Sequence, residues 1–222
     1  MNLPERTLAI HQKLLEVYGA PTWRQPLPPL DELVSTILSQ NTNDTNRDRA
    51  FEALRRAFPT WEAVRDADQA AVIAAIRSAG LANQKGPRIQ AVLRAITAQR
   101  GRLDLNFLAE MPAQEAQDWL LQFKGVGPKT AAIVLLFSLG KPAFPVDTHI
   151  YRVSGRLGLR PDPMSVEQVH PHLAALFPAQ AYYTAHLNLI RLGREVCTAR
   201  KPHCESCPLA DFCDYFQRSK RP

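Results

Sequence analysis

The chain has 222 residues, with 27 Lys and Arg against 21 Asp and Glu and a formal net charge of +6. That length suffices to bury a core in one domain or two small lobes. No apolar run reaches the roughly eighteen residues that a membrane helix needs, which leaves a membrane out of the expected partners. The N-terminal stretch carries Glu5 and no continuous apolar core, unlike a signal peptide. The expectation is a cytoplasmic protein, nucleoid-associated if bacterial. A basic excess favours an anionic partner, although a solvated basic face gives the same balance. Arg47, Arg49, Arg55, Lys85, Arg88 and Lys124 are spread along the chain, so a folded surface rather than a tail would carry the field.

In chain order, Thr7 to Tyr18 has the apolar spacing of a short helix ending at Gly19. Pro21, Pro26, Pro28 and Pro29 then mark a connector. Asp31 is expected to cap a helix carrying Leu33, Val34, Ile37 and Leu38, and the polar run Gln40 to Asp44 to break it and cap a second helix, Thr45 to Phe58. Thr60 opens a short turn or helix. Asp66 with Gln69 has the form of a capping box for a helix ending at Gly80. Further helices are predicted over Gln84 to Arg100, with Ile89, Val92, Leu93 and Ile96 on one stripe, and over Ala113 to Gln122. Pro128 suits the first position of the next helix, which runs from Thr130 to Leu139. Beyond Pro142 and Pro145 come Thr148 to Leu157, Val166 to Leu176 after the capping box begun by Ser165, and Gln180 to Glu195, with Pro171 bending the second. No segment alternates as a half-buried strand does, and the fold class expected is all-α.

Four features carry chemistry. Gly125 and Gly127 permit a tight turn whose amides point outward at a helix start, an arrangement suited to a phosphate oxygen. Lys129 follows in the first turn, at the positive end of the helix dipole, where dipole and partial burial both disfavour the ammonium and favour a nucleophilic amine. Asp147 lies eighteen residues further on, placed to return to that amine. Taken singly, each has a plainer reading: a common turn, a surface lysine, a helix N-cap. The fourth feature is the set Cys197, Cys204, Cys207 and Cys213, separated by six, two and five residues. So local a set, without a secretory signal, points to a metal site rather than to disulfides. Spacing alone leaves zinc and iron–sulfur both open.

The runs GVGPKTA and PVDTHIYRV resemble the helix-hairpin-helix plus Gly-Pro-Asp family of DNA glycosylases, most closely its endonuclease III branch. The resemblance implies two helical lobes: a six-helix barrel with the hairpin over residues 30–141, and a discontinuous iron–sulfur cluster domain from 1–29 and 142–222. Lys129 and Asp147 would face one another across an active-site cleft between the lobes. It implies that Lys129 attacks the sugar carbon, that Asp147 assists, and that the four cysteines hold a four-iron four-sulfur cluster, with His203 a loop residue. Gly125, Val126 and Gly127 would hold a phosphate, and Arg200 and Lys201 would lie against others. A polar residue at the break after the first barrel helix enters the DNA in relatives; relatives have glutamine where this chain has Asn41, which leaves both Gln40 and Asn41 as candidates. Leu81 matches a second wedge, with Ala82 replacing a neighbouring aromatic, and Asp44 matches an acid near the pocket.

The function implied is a bifunctional glycosylase and abasic-site lyase of base excision repair, a monomer acting on oxidised or ring-saturated pyrimidines and abasic sites in double-stranded DNA. The alternatives are a monofunctional mismatch glycosylase, which keeps the aspartate and cluster but generally lacks the lysine, and a non-catalytic hairpin DNA-binding module, which needs neither.

Overall fold

The computed structural model describes residues 1–219, and among these every regular element is helical. The chain divides into two compact units, Pro26–Lys141 and Met1–Gln25 with Pro142–Pro222.

In the Pro26–Lys141 unit, α2 (Pro29–Leu38) is the central helix. Nine of its ten residues are buried, including Leu33, Val34, Ile37 and Leu38 at 1% exposure or less. A helix buried on every side needs neighbours on every side, and α2 has them in α3 (Asp44–Ala57), α6 (Ala82–Arg100) and α8 (Pro128–Ile133). It starts at Pro29 rather than at an Asp31 cap, since proline fits the first helical turn. Asp31 instead accepts a hydrogen bond from Trp61 Nε1 at 2.7 Å. Asn43 caps α3 through the Asn46 amide.

The Asp66–Gln69 capping box does not form. Asp66 is the last residue of α4 (Trp61–Asp66) and pairs with Arg65, while Asp68 precedes α5 (Gln69–Ala75) without a side-chain cap bond. A 3₁₀ turn, Arg77–Ala79, leads to Leu81 and α6, two residues earlier than Gln84. After α7 (Ala113–Leu121) and the hairpin turn, α8 runs into a π-helical segment, Val134–Ser138, before the chain leaves at Gly140.

The other unit joins the chain's two ends. α1 (Leu3–Tyr18) starts at an Asn2–Glu5 capping box, four residues before the expected Thr7. It packs against α10 (Val166–Leu176) and α11 (Tyr182–Glu195). The Ser165–Gln168 capping box forms as expected. Phe144 stacks on Phe177 at 5.2 Å and meets Tyr182 edge-on, and His11 meets Phe177 edge-on. α9 (Thr148–Arg156) lies along α11, and α12 (Asp214–Ser219) follows the cysteine loop.

Candidate active site and cluster loop

The hairpin turn is built as the glycines require. Gly125 has φ +94°, a left-handed conformation, and a Cβ there would meet the Arg88 side chain at 2.3 Å. The turn does not offer three outward amides, however. Val126 N–H donates to Phe123 O at 2.9 Å and its side chain is 5% exposed, so its polar group closes the turn. The amides of Gly125 and Gly127 remain for an oxyanion. Lys129, half-buried, sits in the first turn of α8. Its amine makes no hydrogen bond or ion pair among the described residues.

Asp147 is the N-cap of α9: its Oδ1 accepts from Ile150 N at 2.8 Å. Capping and chemistry are compatible here, because a carboxylate has two oxygens and the cap fixes one of them. The segment leading to Asp147 is held from below by two buried histidines. His170 Nδ1 lies 3.0 Å from Phe144 O, and His186 Nδ1 lies 3.0 Å from Pro145 O. Sequence reasoning passed over both, since a lone histidine on an apolar helix face carries no signal of which carbonyl it will meet.

The two loops expected to wedge share a backbone property. Asn41 (φ +53°) and Leu81 (φ +49°) are the non-glycine residues with positive φ among those described. For leucine that conformation is rare and costly, and Leu81 is also 47% exposed. Strain of this kind persists only where the surroundings impose it, and it gathers at functional loops. Asn41 is exposed, whereas Gln40 is half-buried and its Oε1 accepts from Arg88 Nη1 at 2.7 Å. Lys85, 1% exposed, donates to Leu38 O at 2.7 Å and Ala79 O at 2.8 Å, the carbonyls two residues before Gln40 and Leu81. Burial, and then the Arg88 charge, push its amine below the usual lysine range. Asp44 is exposed and pairs with Arg47 at 3.0 Å, an ordinary first-turn ion pair.

The four cysteines line one cavity together with Val153, Leu157 and Leu192. No three His, Cys, Asp or Glu side chains among the described residues are drawn together as for a single ion. Four thiols around one apolar cavity are a donor set that fits an iron–sulfur cluster. Burial pushes the Cys207 and Cys213 thiols up, so a metal's charge is what would favour their thiolates. Two arginines of α9 fasten the loop. Arg152 donates to Cys197 O at 3.0 Å and Gly193 O at 2.8 Å. Arg156 donates to Thr198 O at 2.7 Å and Ala199 O at 3.0 Å, and lies 3.3 Å from Cys197 Sγ. Arg6 of α1 binds Asp214 and Phe212 O on the loop's far side. Arg200 and Lys201 are exposed in this loop.

Residues 34–179 match the family described as "HhH-GPD superfamily base excision DNA repair protein". The chain belongs to that superfamily of base-excision DNA repair glycosylases. Within it the chain is endonuclease III-like: residues 197–213 match the iron–sulfur binding domain of endonuclease III, and the cofactor is an iron–sulfur cluster. Endonuclease III of Sulfolobus acidocaldarius is 36% identical over 83% of this chain and 81% of that protein. "Putative DNA glycosylase At3g47830" of Arabidopsis thaliana is also 36% identical, over 83% of this chain but 66% of its own length. Among solved structures, a trapped endonuclease III–DNA covalent intermediate superposes with a TM-score of 0.85 at 27% identity, covering 100% of both chains. These matches bear out the all-helical fold, the family and the iron–sulfur expectation.

Proposed function

We propose that the protein is a bifunctional DNA glycosylase and abasic-site lyase that excises oxidised or ring-saturated pyrimidines from duplex DNA, acting as a monomer. The observation that carries this reading is Lys129: a half-buried amine, unpaired among the described residues, at the head of α8 directly after the Gly125–Gly127 turn. A relative trapped covalently on DNA supports a covalent route.

A base inside the duplex cannot be attacked at its sugar, so it must be flipped out, and a pyrimidine that has lost planarity gives up less stacking on leaving. Asn41 and Leu81 are the side chains offered to the vacated space. The amides of Gly125 and Gly127, with Arg200 and Lys201 elsewhere, supply phosphate contacts, which position without reading sequence. The Lys129 nitrogen then bonds to the deoxyribose C1′ through its lone pair. The bond from C1′ to the base breaks, and the departing base takes its electron pair and a proton. The nitrogen lone pair then opens the sugar ring: the C1′–O4′ bond breaks, O4′ takes a proton from water, and C1′ and the nitrogen are left as a protonated Schiff base, the iminium. Removal of a C2′ proton sends electrons toward the iminium and breaks the C3′–O bond, releasing the 3′ phosphate. In this scheme the Asp147 carboxylate stabilises positive charge developing on the sugar. The cluster, held by Cys197, Cys204, Cys207 and Cys213, fixes a loop too poor in apolar side chains to pack unaided.

Borohydride reduction of the protein mixed with an abasic-site duplex tests this directly. A covalent adduct is expected from the native chain and none from Lys129→Ala. Base release without any trapped adduct would show the monofunctional reaction instead, and an adduct surviving in Lys129→Ala would assign the nucleophile elsewhere.

A further inference from the structure

The glycosylase reading gives Asn41 a role but does not explain how a loop residue keeps a left-handed backbone while meeting DNA. Arg88 supplies the physical reason. It lies one turn beyond Lys85 on α6, and its guanidinium donates to Gln40 Oε1 at 2.7 Å. Its stem crosses the hairpin turn: a Cβ on Gly125 would fall 2.3 Å from Arg88 Cδ and 2.6 Å from Nε, so only glycine leaves the arginine its path. One side chain thus touches the phosphate-holding turn and the residue next to Asn41. Gln40, half-buried and with its acceptor engaged, is the tether, and exposed Asn41 is the residue presented outward.

We propose that Arg88 is a positioning residue for base eversion: through Gln40 and the Gly125 turn it fixes the Asn41 wedge relative to the anchored phosphate. This inference rests on the glycosylase reading above. It distinguishes Arg88 from a cation that merely meets DNA charge, because its effect must pass through Gln40.

The test uses the full chain with its cluster and a duplex carrying a tetrahydrofuran abasic analogue opposite 2-aminopurine. Anisotropy reports affinity, and 2-aminopurine fluorescence reports unstacking at the site. Arg88→Met keeps the stem against Gly125 and removes the donor. It is expected to weaken binding about tenfold, the scale of one charge-assisted hydrogen bond, and to blunt the fluorescence rise. Arg88→Lys should restore both in large part. Gln40→Ala should match Arg88→Met, and the double variant should be no worse than either alone, as for residues acting as one unit. The dependence of affinity on salt should keep its slope. Additive losses, an undiminished fluorescence rise, or a slope shallower by about 0.9, the signature of one lost phosphate contact, would each overturn the proposal. Failure of the native chain itself to bind and unstack this duplex would instead sink the glycosylase reading.

Discussion

The Pro26–Lys141 unit and the cysteine loop solve one problem by different means. Each must hold irregular backbone in a fixed shape, and irregular backbone leaves carbonyls that need donors. In the first, a buried lysine and a neighbouring arginine on α6 reach out to the loops, and a packed apolar core stands behind them. In the second, Arg152 and Arg156 reach to the carbonyls of residues 193 and 197–199, but Leu209 and Cys213 are the buried apolar residues between 197 and 213. The difference teaches that long cationic side chains can orient a loop, while only a core or a bound metal can keep it folded. The first region carries its own core; the second borrows one from the cluster.

The sharpest way to break this comparison is to remove the cluster. Cys204→Ser should abolish the visible absorption and make the chain beyond Cys197 sensitive to protease. Fragments from 26–141 should remain protected; equal digestion of both would refute the division. Next in size is Asp147. Asparagine is as good an N-cap as aspartate, so Asp147→Asn should keep the melting temperature while slowing base release by about 10²-fold or more, the scale of a lost charged catalytic group. Asp147→Ala should add about 1 kcal/mol of destabilisation from the lost cap, measured by denaturant unfolding. A normal rate in Asp147→Asn would leave the residue as a cap alone.

A smaller effect concerns Lys85. Lys85→Met fills similar space but leaves the Leu38 and Ala79 carbonyls unpaired, at a cost of about 1–3 kcal/mol each for a buried unsatisfied group. The loss is offset in part because a buried charge is no longer desolvated. A net destabilisation near 2 kcal/mol is expected, and an unchanged denaturation midpoint would show that the lysine holds nothing. The smallest effect is a pH dependence in the other unit. His11 Nδ1 is buried without a hydrogen-bond partner among the described residues, and burial lowers the pKa of this ring below the ordinary 6.5. The unfolded chain then takes up the proton first. The neutral ring's contribution is complete above pH 6.5 and is lost as pH falls through the lowered folded value. His11→Leu should flatten the melting temperature between pH 7 and pH 5 relative to the native chain.

Helix order was legible because apolar spacing, prolines and glycines punctuate the chain clearly. The Ser165 capping box and the Thr60 start formed where their residues stand. The first helix begins early because Asn2 and Glu5, two polar residues before any apolar stripe, give little sign that they cap each other. The Asp66–Gln69 box failed because the right residue types at the right spacing fell across a helix end rather than a helix start. The hairpin, Lys129, Asp147 and the cysteines stood out as short local patterns. What holds them did not. Lys85 and Arg88 read as part of a solvated basic face, and His170 and His186 gave no signal, because their partners are carbonyls and side chains distant in sequence. Gln40 and Asn41 were equivalent as letters; the left-handed φ of one and the engaged amide of the other tell them apart.

The wide turn at Val134–Ser138 lets two demands on one rod be met separately. A regular α-helix advances about 100° per residue, so the direction of Lys129 would be dictated by the packing of Leu135, Leu136 and Phe137 a few positions later. The looser i→i+5 coil spends one additional residue and breaks that phase lock. Removing a single residue between 134 and 138 would give a better-wound helix that still seats its greasy end, yet swing the amine about a quarter of a revolution away from where the turn now aims it.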